Sequence, residues 1–217
     1  PEGSMTVREQ LLAVLRGQST DRIPNVEFGY WSETLSAWHS QGLPVTVTTD
    51  AAAEEHFGLD GITLFKQLPI SNGLFPAFER TVLSRHGDRE LIRDDEGNIC
   101  EVFSEHSSMP RYVKFGLETR QDWERLRRER LDPDANGRIG DVEVLLRQAQ
   151  VDGSPVFFHA GSLYGWLRNW MGVEGISIAL MTDRTWGEEM MDHLTALTLT
   201  LINRALPVHG VDLAWWW

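Results

Sequence analysis

The feature that most constrains this chain is the stretch from Pro155 to Gly175, which predicts a buried strand that turns directly into a helix. The run from Pro155 to Ala160 is apolar on both faces, as is typical of a strand inside a parallel sheet covered by helices. Gly161 suits a tight turn, and Ser162 suits a helix N-cap. Apolar side chains then recur every three or four residues on one helix face: Leu163, Trp166, Leu167 and Trp170.

The carboxyl end of such a strand is where α/β folds build their active sites. His159 ends the apolar run, and Tyr164, Arg168 and Asn169 follow on the helix. We therefore interpret His159 as a candidate catalytic residue, with proton transfer or ligand contact as its role. Tyr164, Arg168 and Asn169 are candidates for substrate binding. A core histidine bonded to a backbone carbonyl stays open as the alternative, as do core packing for Tyr164 and an ion pair for Arg168.

Further candidates accompany two other predicted strands. Glu27 lies in the apolar run 24–28, where burial would raise its pKa and make it a candidate catalytic acid or base. Solvation at the end of the strand is the alternative. Tyr30 and Trp31 follow that run and are candidates for substrate binding. Lys66 and Gln67 are candidates for the same role after the apolar run 62–65, although a lysine directed into solvent is the commoner case.

The last predicted strand, 211–217, ends in three tryptophans. Because side chains alternate along a strand, Trp215 and Trp217 point one way and Trp216 the other, and at least one of the three is expected to be structural. These tryptophans suggest an aromatic cavity together with four earlier aromatic residues: Tyr30, Trp31, Tyr164 and Trp166. Such walls suit a neutral, methylated or aromatic ligand, or a methylated cation held by ring faces.

The order of elements predicts an α/β fold. Parallel-type strands near residues 24, 62, 156 and 212 alternate with helices, and the segment 78–115 predicts an antiparallel β-hairpin meander inserted after the second strand. These parallel-type strands are about four of the eight strands of a (β/α)8 barrel, which needs about 250 residues, and roughly 40 of the 217 residues belong to the hairpins. The chain is therefore expected to be the N-terminal half of such a TIM barrel. Residues 1–4 resemble an expression scar before Met5, and 5–217 are expected to form a single domain.

Composition excludes several classes of partner. The formal charge is −12, with 32 acidic and 20 basic residues, which disfavours a nucleic-acid partner. No apolar run is long enough to span a membrane. The single cysteine, Cys100, rules out a disulfide framework, and no histidine spacing suggests a metal site, so we expect no metal in these residues. A cytoplasmic location is the expectation.

Several motifs together resemble the uroporphyrinogen decarboxylase superfamily. They are the opening segment 8–24, Phe-Gly-Leu-Asp at 57–60, Ala-Gly-Ser-Leu-Tyr-Gly-Trp at 160–166 and Met-Thr-Asp-Arg at 181–184. The likeness runs from about residue 8 to residue 217. It implies a (β/α)8 barrel that belongs either to the tetrapyrrole decarboxylases or to the methyltransferases that serve corrinoid proteins or thiols.

The chain departs from the decarboxylase branch at three positions that the resemblance implies are functional. The family's Arg-Gln-Ala-Gly-Arg-Tyr motif, whose arginines hold a polycarboxylate, is replaced by the segment 27–31, which has no arginine and carries Glu27. The family's catalytic aspartate follows its second strand in a Phe-Ser-Asp pattern, where this chain has Phe65-Lys66-Gln67. Its tyrosine falls near Asn169 and Trp170. These replacements favour the methyltransferase branch.

The expected function is therefore methyl transfer between a small methylated substrate and a corrinoid or thiol acceptor. The resemblance implies no cofactor within these residues, but a corrinoid protein as a partner and zinc in a C-terminal half of the barrel. A tetrapyrrole-type decarboxylase that anchors anions with Arg168 and Lys66 is one alternative. A non-catalytic half-barrel binding protein, for instance in a homodimer, is the other.

Overall fold

A computed structural model describes residues 5–61, 64–104, 109–205 and 210–216, apart from the side chain of Ser32. Among the helices of these residues, none has the length and apolar character that a membrane span requires. The described helices are α1 (Val7–Leu15), α2 (Ser32–His39), α3 (Asp50–Phe57), α4 (Arg120–Arg130), α5 (Val142–Asp152), α6 (Leu163–Thr182) and α7 (Arg184–Ala205). The described strands are β1 (Lys66–Gln67), β2 (Thr81–His86), β3 (Arg89–Arg93), β4 (Ile99–Phe103), β5 (Arg111–Lys114), β6 (Val156–Gly161) and β7 (Leu213–Trp216).

The prediction of a TIM barrel, or of its N-terminal half, is wrong. A (β/α)8 barrel is built on eight parallel strands, whereas the described residues form a three-stranded parallel sheet, β1-β6-β7, and a separate four-stranded antiparallel sheet, β2-β3-β4-β5. The segment 24–28, interpreted as the first barrel strand, is not a strand. Its backbone is held by a side chain instead, because the Asn25 N–H donates to Asp60 Oδ2. The predicted strand 62–65 lies partly outside the described residues.

The chain divides into two compact units. The first unit comprises residues 1–68, 141–158 and 208–214, and the second comprises 69–140, 159–207 and 215–217. This division does not test the prediction that residues 5–217 form a single domain. In the first unit β1 pairs in parallel with β6, with Lys66 opposite Val156. A small core lies around α2 and α3 and includes Leu35, Leu43 and Ala53.

The second unit contains the larger hydrophobic core and the antiparallel sheet. Consecutive strands β2 to β5 pair as hairpins, as the alternating pattern of 78–115 predicts. The core packs α4, α6 and α7 together, and six of its largest side chains are almost fully buried: Trp123, Trp170, Leu167, Met190, Leu194 and Leu197.

Local sequence signals set the helix boundaries. The spacing of Thr6 and Glu9 predicts a capping box, which forms at the start of α1. The sequence also predicts that Gly58 ends α3, and it does so in the left-handed conformation that glycine favours. The long helix α6 is interrupted at Gly172, where φ is 75° and ψ is 161°. A Cβ atom at this position would lie 2.5 Å from the Phe115 ring, so the ring packs directly on the backbone at the break.

Candidate functional site

His159 lies on β6, two residues before the turn into α6, and its imidazole has a defined hydrogen bond. The Gly161 N–H donates to His159 Nδ1 at 3.1 Å. Because Nδ1 accepts, the neutral ring carries its proton on Nε2. Partial burial lowers the pKa of His159, which favours this neutral form. Nε2 makes no hydrogen bond to any other described residue, so His159 presents a neutral N–H donor.

The backbone of His159 is held from the loop 69–75. The Asn72 side-chain amide donates to the His159 carbonyl oxygen, and Asn72 itself is buried. The loop is fixed in turn by Arg138, which is 1 % exposed. Its Nη1 donates to the carbonyls of Ser71 at 2.6 Å and Gly73 at 3.0 Å. Arg138 therefore holds the loop that carries Asn72, and Asn72 in turn holds the backbone of His159.

Arg138 is a buried cation bound mainly by backbone dipoles. Besides the two loop carbonyls, its guanidinium donates to the carbonyls of Asp132 and Arg130, and it lies 5.3 Å from the Phe75 ring centroid. Burial lowers the pKa of Arg138 to about 10, while the negative charge of nearby Asp132 has the opposite, smaller effect and raises it. The side chain therefore stays charged at neutral pH and ties three chain segments together.

Two stacked tryptophans flank the turn that follows His159. The Trp166 ring lies 6.2 Å from the His159 ring and stacks at 6.3 Å and 3° on Trp170. A Cβ atom on Gly161 would lie 2.3 Å from the Trp166 ring, so only glycine fits at that turn. The Ser162 hydroxyl accepts from the Gly165 N–H at 2.9 Å, as the predicted N-cap requires. Trp166 thus packs across the turn, whereas Tyr164 is exposed on α6.

Arg168 and Asn169 lie together in a different polar cluster of the second unit. Asn169 Oδ1 accepts from Arg168 Nη2 at 3.0 Å, and its Nδ2 donates to Glu96 Oε1 at 3.4 Å. Burial raises the pKa of Glu96, and the charges of Asp94 and Asp95 add to that effect, while the bond from Asn169 opposes it. Glu96 is thus a candidate acid, and Arg168 already has a partner.

The three candidates of the segment 24–31 belong to the first unit and lie in a more solvated setting. Glu27 is exposed, and its Oε1 accepts from the Phe28 N–H at 2.7 Å, which fits the solvated alternative. Tyr30 packs edge-on against Trp38 at 5.6 Å, and desolvation raises the pKa of its hydroxyl. Trp31 is 51 % exposed.

The remaining candidates are placed separately. Lys66 Nζ lies 3.8 Å from Asp152 Oδ2, so its charge has a partner within the first unit, and Gln67 pairs with Phe157 in the parallel sheet. Trp215 is half-buried on β7 in the second unit, where it has an interaction partner. Trp217 lies outside the described residues.

Sequence reasoning missed Asn72, Glu96 and Arg138. Glu96 occupies a turn within the predicted hairpin meander 78–115, and Arg138 lies in the polar connection that precedes α5. An arginine among short polar residues gives no signal of burial, because its partners are backbone carbonyls. Within the described residues, no group of three or more His, Cys, Asp and Glu side chains is arranged to hold a metal ion. The expectations about zinc and a corrinoid partner remain untested.

The chain matches no protein-family model, no curated protein and no solved structure.

Proposed function

We propose that this protein takes part in methyl transfer from a small, neutral methylated compound to a corrinoid or thiol acceptor. The observation that carries the proposal is the bond from the Gly161 N–H to His159 Nδ1, which leaves a neutral N–H donor at Nε2. The resemblance of the sequence to the uroporphyrinogen decarboxylase superfamily supplies the reaction class. The absence of arginine from the segment 27–31 argues against a polycarboxylate substrate.

The chemistry needs a hydrogen-bond donor at the atom that the methyl group leaves. The acceptor's electron pair attacks the methyl carbon and the bond from carbon to oxygen breaks. The oxygen leaves with the electron pair of the broken bond and takes up a proton, which a thiol acceptor releases. A neutral imidazole N–H can stabilise the charge that develops there, as neutral histidines do beside carbonyl oxygens in other enzymes. His159 Nε2 takes this role, while Asn72 and Arg138 hold the backbone that carries it.

The observed partners of the anion anchors count against the alternative of tetrapyrrole decarboxylation. Arg168 is bound to Asn169, and Lys66 lies near Asp152. An anionic porphyrin would have to displace these contacts, whereas a neutral substrate would leave them in place. Measurable porphyrin binding that is lost in Arg168→Ala would therefore favour the decarboxylase.

The test is an activity screen with the purified protein, methoxylated aromatics as neutral donors, and cob(I)alamin or 2-mercaptoethanol as acceptor. We expect a methylated acceptor with at least one donor, and a fall in kcat of about 100-fold in His159→Phe, since positioned donors of this kind contribute about that much. His86→Phe, at an exposed histidine of the same unit, is the control. Equal rates in His159→Phe and the parent would overturn the role of His159. No turnover with any donor and acceptor pair would count against the reaction class.

A further inference from the structure

A separate groove in the second unit has the features of a ligand site. Its volume is about 550 Å³, and none of the residues discussed above as candidates for methyl transfer lines it. The groove follows the part of α6 that begins after the break at Gly172. Its lining comes from the segment after β5, the start of α4, α6 and the start of α7, and includes Glu118, Arg120, Glu174, Ala179 and Trp186.

The floor of the groove is apolar and made of small side chains. Gly175 and Ala179 lie one turn apart on α6 and leave room above the helix, while Ile178 beside them is 52 % exposed. At one end, the Leu117 N–H donates to the Trp170 carbonyl at 3.0 Å, which ties the segment after β5 to α6 where the helix is interrupted. An elongated apolar body fits such a floor.

The charges of the groove are unbalanced. Arg120 is bound at 2.9 and 2.8 Å to both oxygens of Asp183, and it lies 3.6 Å from Glu189, so its charge is already compensated. Glu118 and Glu174 form no ion pair with any described residue. The two carboxylates therefore give this end of the groove a negative potential, which attracts a cation and repels an anion.

The other end of the groove holds an unsatisfied donor. Trp186 is 7 % exposed, and its indole Nε1 has no hydrogen-bond partner among the described residues. A buried N–H without a partner destabilises the folded protein, and an oxygen atom of a ligand would relieve that cost. Eight residues of α6 separate Glu174 from Thr182, which corresponds to about 12 Å along a helix.

We propose that this groove binds an elongated organic cation. The cationic head lies beside Glu118 and Glu174, the apolar body lies over Gly175 and Ala179, and an oxygen acceptor at the far end meets Trp186 Nε1. The proposal is independent of methyl transfer, because it uses none of the residues assigned to that reaction.

Calorimetry and NMR on the intact chain test the site with probes that differ in charge. Hexyltrimethylammonium is the cation, hexanol the neutral analogue and hexanoate the anion. An ion pair at an exposed carboxylate contributes about 0.2 to 1 kcal/mol, which is up to about fivefold in affinity. With two carboxylates we expect the cation to bind about tenfold more tightly than hexanol, and hexanoate more weakly than either. Equal affinity for the cation and hexanol would overturn the proposal. So would the absence of cation binding at concentrations up to about 10 mM.

Variants test whether the cationic head lies at Glu118 and Glu174 and whether the oxygen acceptor meets Trp186. Glu118→Gln and Glu174→Gln should each weaken cation binding about threefold, while Glu143→Gln, at an exposed glutamate of α5, should not change it. Glutamine at 118 keeps an oxygen that can accept from the Phe115 N–H. In the parent, (6-hydroxyhexyl)trimethylammonium should shift the Trp186 indole N–H resonance, which Trp186→Phe identifies. A loss of affinity in Glu143→Gln equal to that in Glu174→Gln would show a non-specific charge effect and refute the site.

Discussion

The loop 69–75 of the second unit and the segment 24–31 of the first unit are both irregular. Buried side chains hold the loop, whereas exposed residues dominate the segment. In the loop, the buried side chain of Asn72 donates to the His159 carbonyl, and the carbonyls of Ser71 and Gly73 accept from the buried side chain of Arg138. In the segment, Phe28 is 69 % exposed and Trp31 is 51 % exposed.

The difference shows where preorganisation lies in this protein. The segment 24–31 carries three candidates that the sequence suggested, whereas the loop carries none. Yet the loop orders the backbone of His159, because a buried guanidinium and a buried amide leave few alternative arrangements that satisfy their hydrogen bonds. We therefore expect substitutions of Asn72 and Arg138 to lower the free energy of unfolding more than substitutions in the exposed segment 24–31.

Arg138→Met should give the largest effect, because it removes four buried hydrogen bonds to backbone carbonyls, two of them to the loop 69–75. We expect the free energy of unfolding to fall by about 3 to 5 kcal/mol in urea denaturation. Arg128→Met, at an arginine that is 76 % exposed, should cost less than about 0.5 kcal/mol. A loss below about 1 kcal/mol in Arg138→Met, the contribution of a single hydrogen bond, would mean that Arg138 does not fix the loop.

Asn72 is expected to come next. Asn72→Ala removes the donor to the His159 carbonyl and should lower the free energy of unfolding by about 1 to 2 kcal/mol. Asn72→Asp should cost more, because a carboxylate would face the carbonyl oxygen that now accepts from the amide. Urea denaturation measures both, with Gln148→Ala on the exposed face of α5 as the control. If the aspartate variant is as stable as the parent, the contact does not order the loop.

Much of the local structure could be predicted from the sequence. The capping box of α1, the N-cap at Ser162 and the glycine that ends α3 depend on neighbouring residues, and these predictions are confirmed. The hairpins between 81 and 114 are also confirmed, since alternation and turn residues are local signals too. The barrel prediction failed because it counted the apolar run 24–28 as a strand.

Apolar character shows that a segment can pair, but not whether a neighbouring strand offers its hydrogen bonds. In the segment 24–28, a carboxylate of Asp60 binds the Asn25 N–H, and no local pattern predicts that competition. The candidate site follows the same rule. His159 and the Gly161 turn could be found from a strand that ends at a glycine, whereas Asn72 and Arg138 act through contacts 87 and 67 residues apart in the chain.

The pH dependence of stability tests whether the His159 imidazole is buried in its neutral form. The pKa of His159 is lowered in the folded protein by burial, so between its folded and unfolded pKa values the unfolded chain binds more protons. The contribution of His159 to stability is therefore complete above the unfolded value of about 6.5 and is lost as the pH falls through that window towards the folded pKa. Urea titrations from pH 7.5 to pH 5 should show a steeper loss in the parent than in His159→Gln. Parallel profiles would show that burial of the imidazole does not affect its protonation.

Trp31→Ala should give the smallest effect, because the indole is already 51 % exposed. We expect the free energy of unfolding to change by less than about 0.5 kcal/mol. Trp38→Ala, in the same unit, is the matched variant: its ring packs on Tyr30 and on Phe57, and its loss should cost about 2 kcal/mol or more. If Trp31→Ala proves as destabilising as Trp38→Ala, then the segment 24–31 is held by burial, and the contrast with the loop 69–75 fails. A small change in stability would instead leave Trp31 available for contact with a ligand, which the methyl-transfer screen can then test in the same variant.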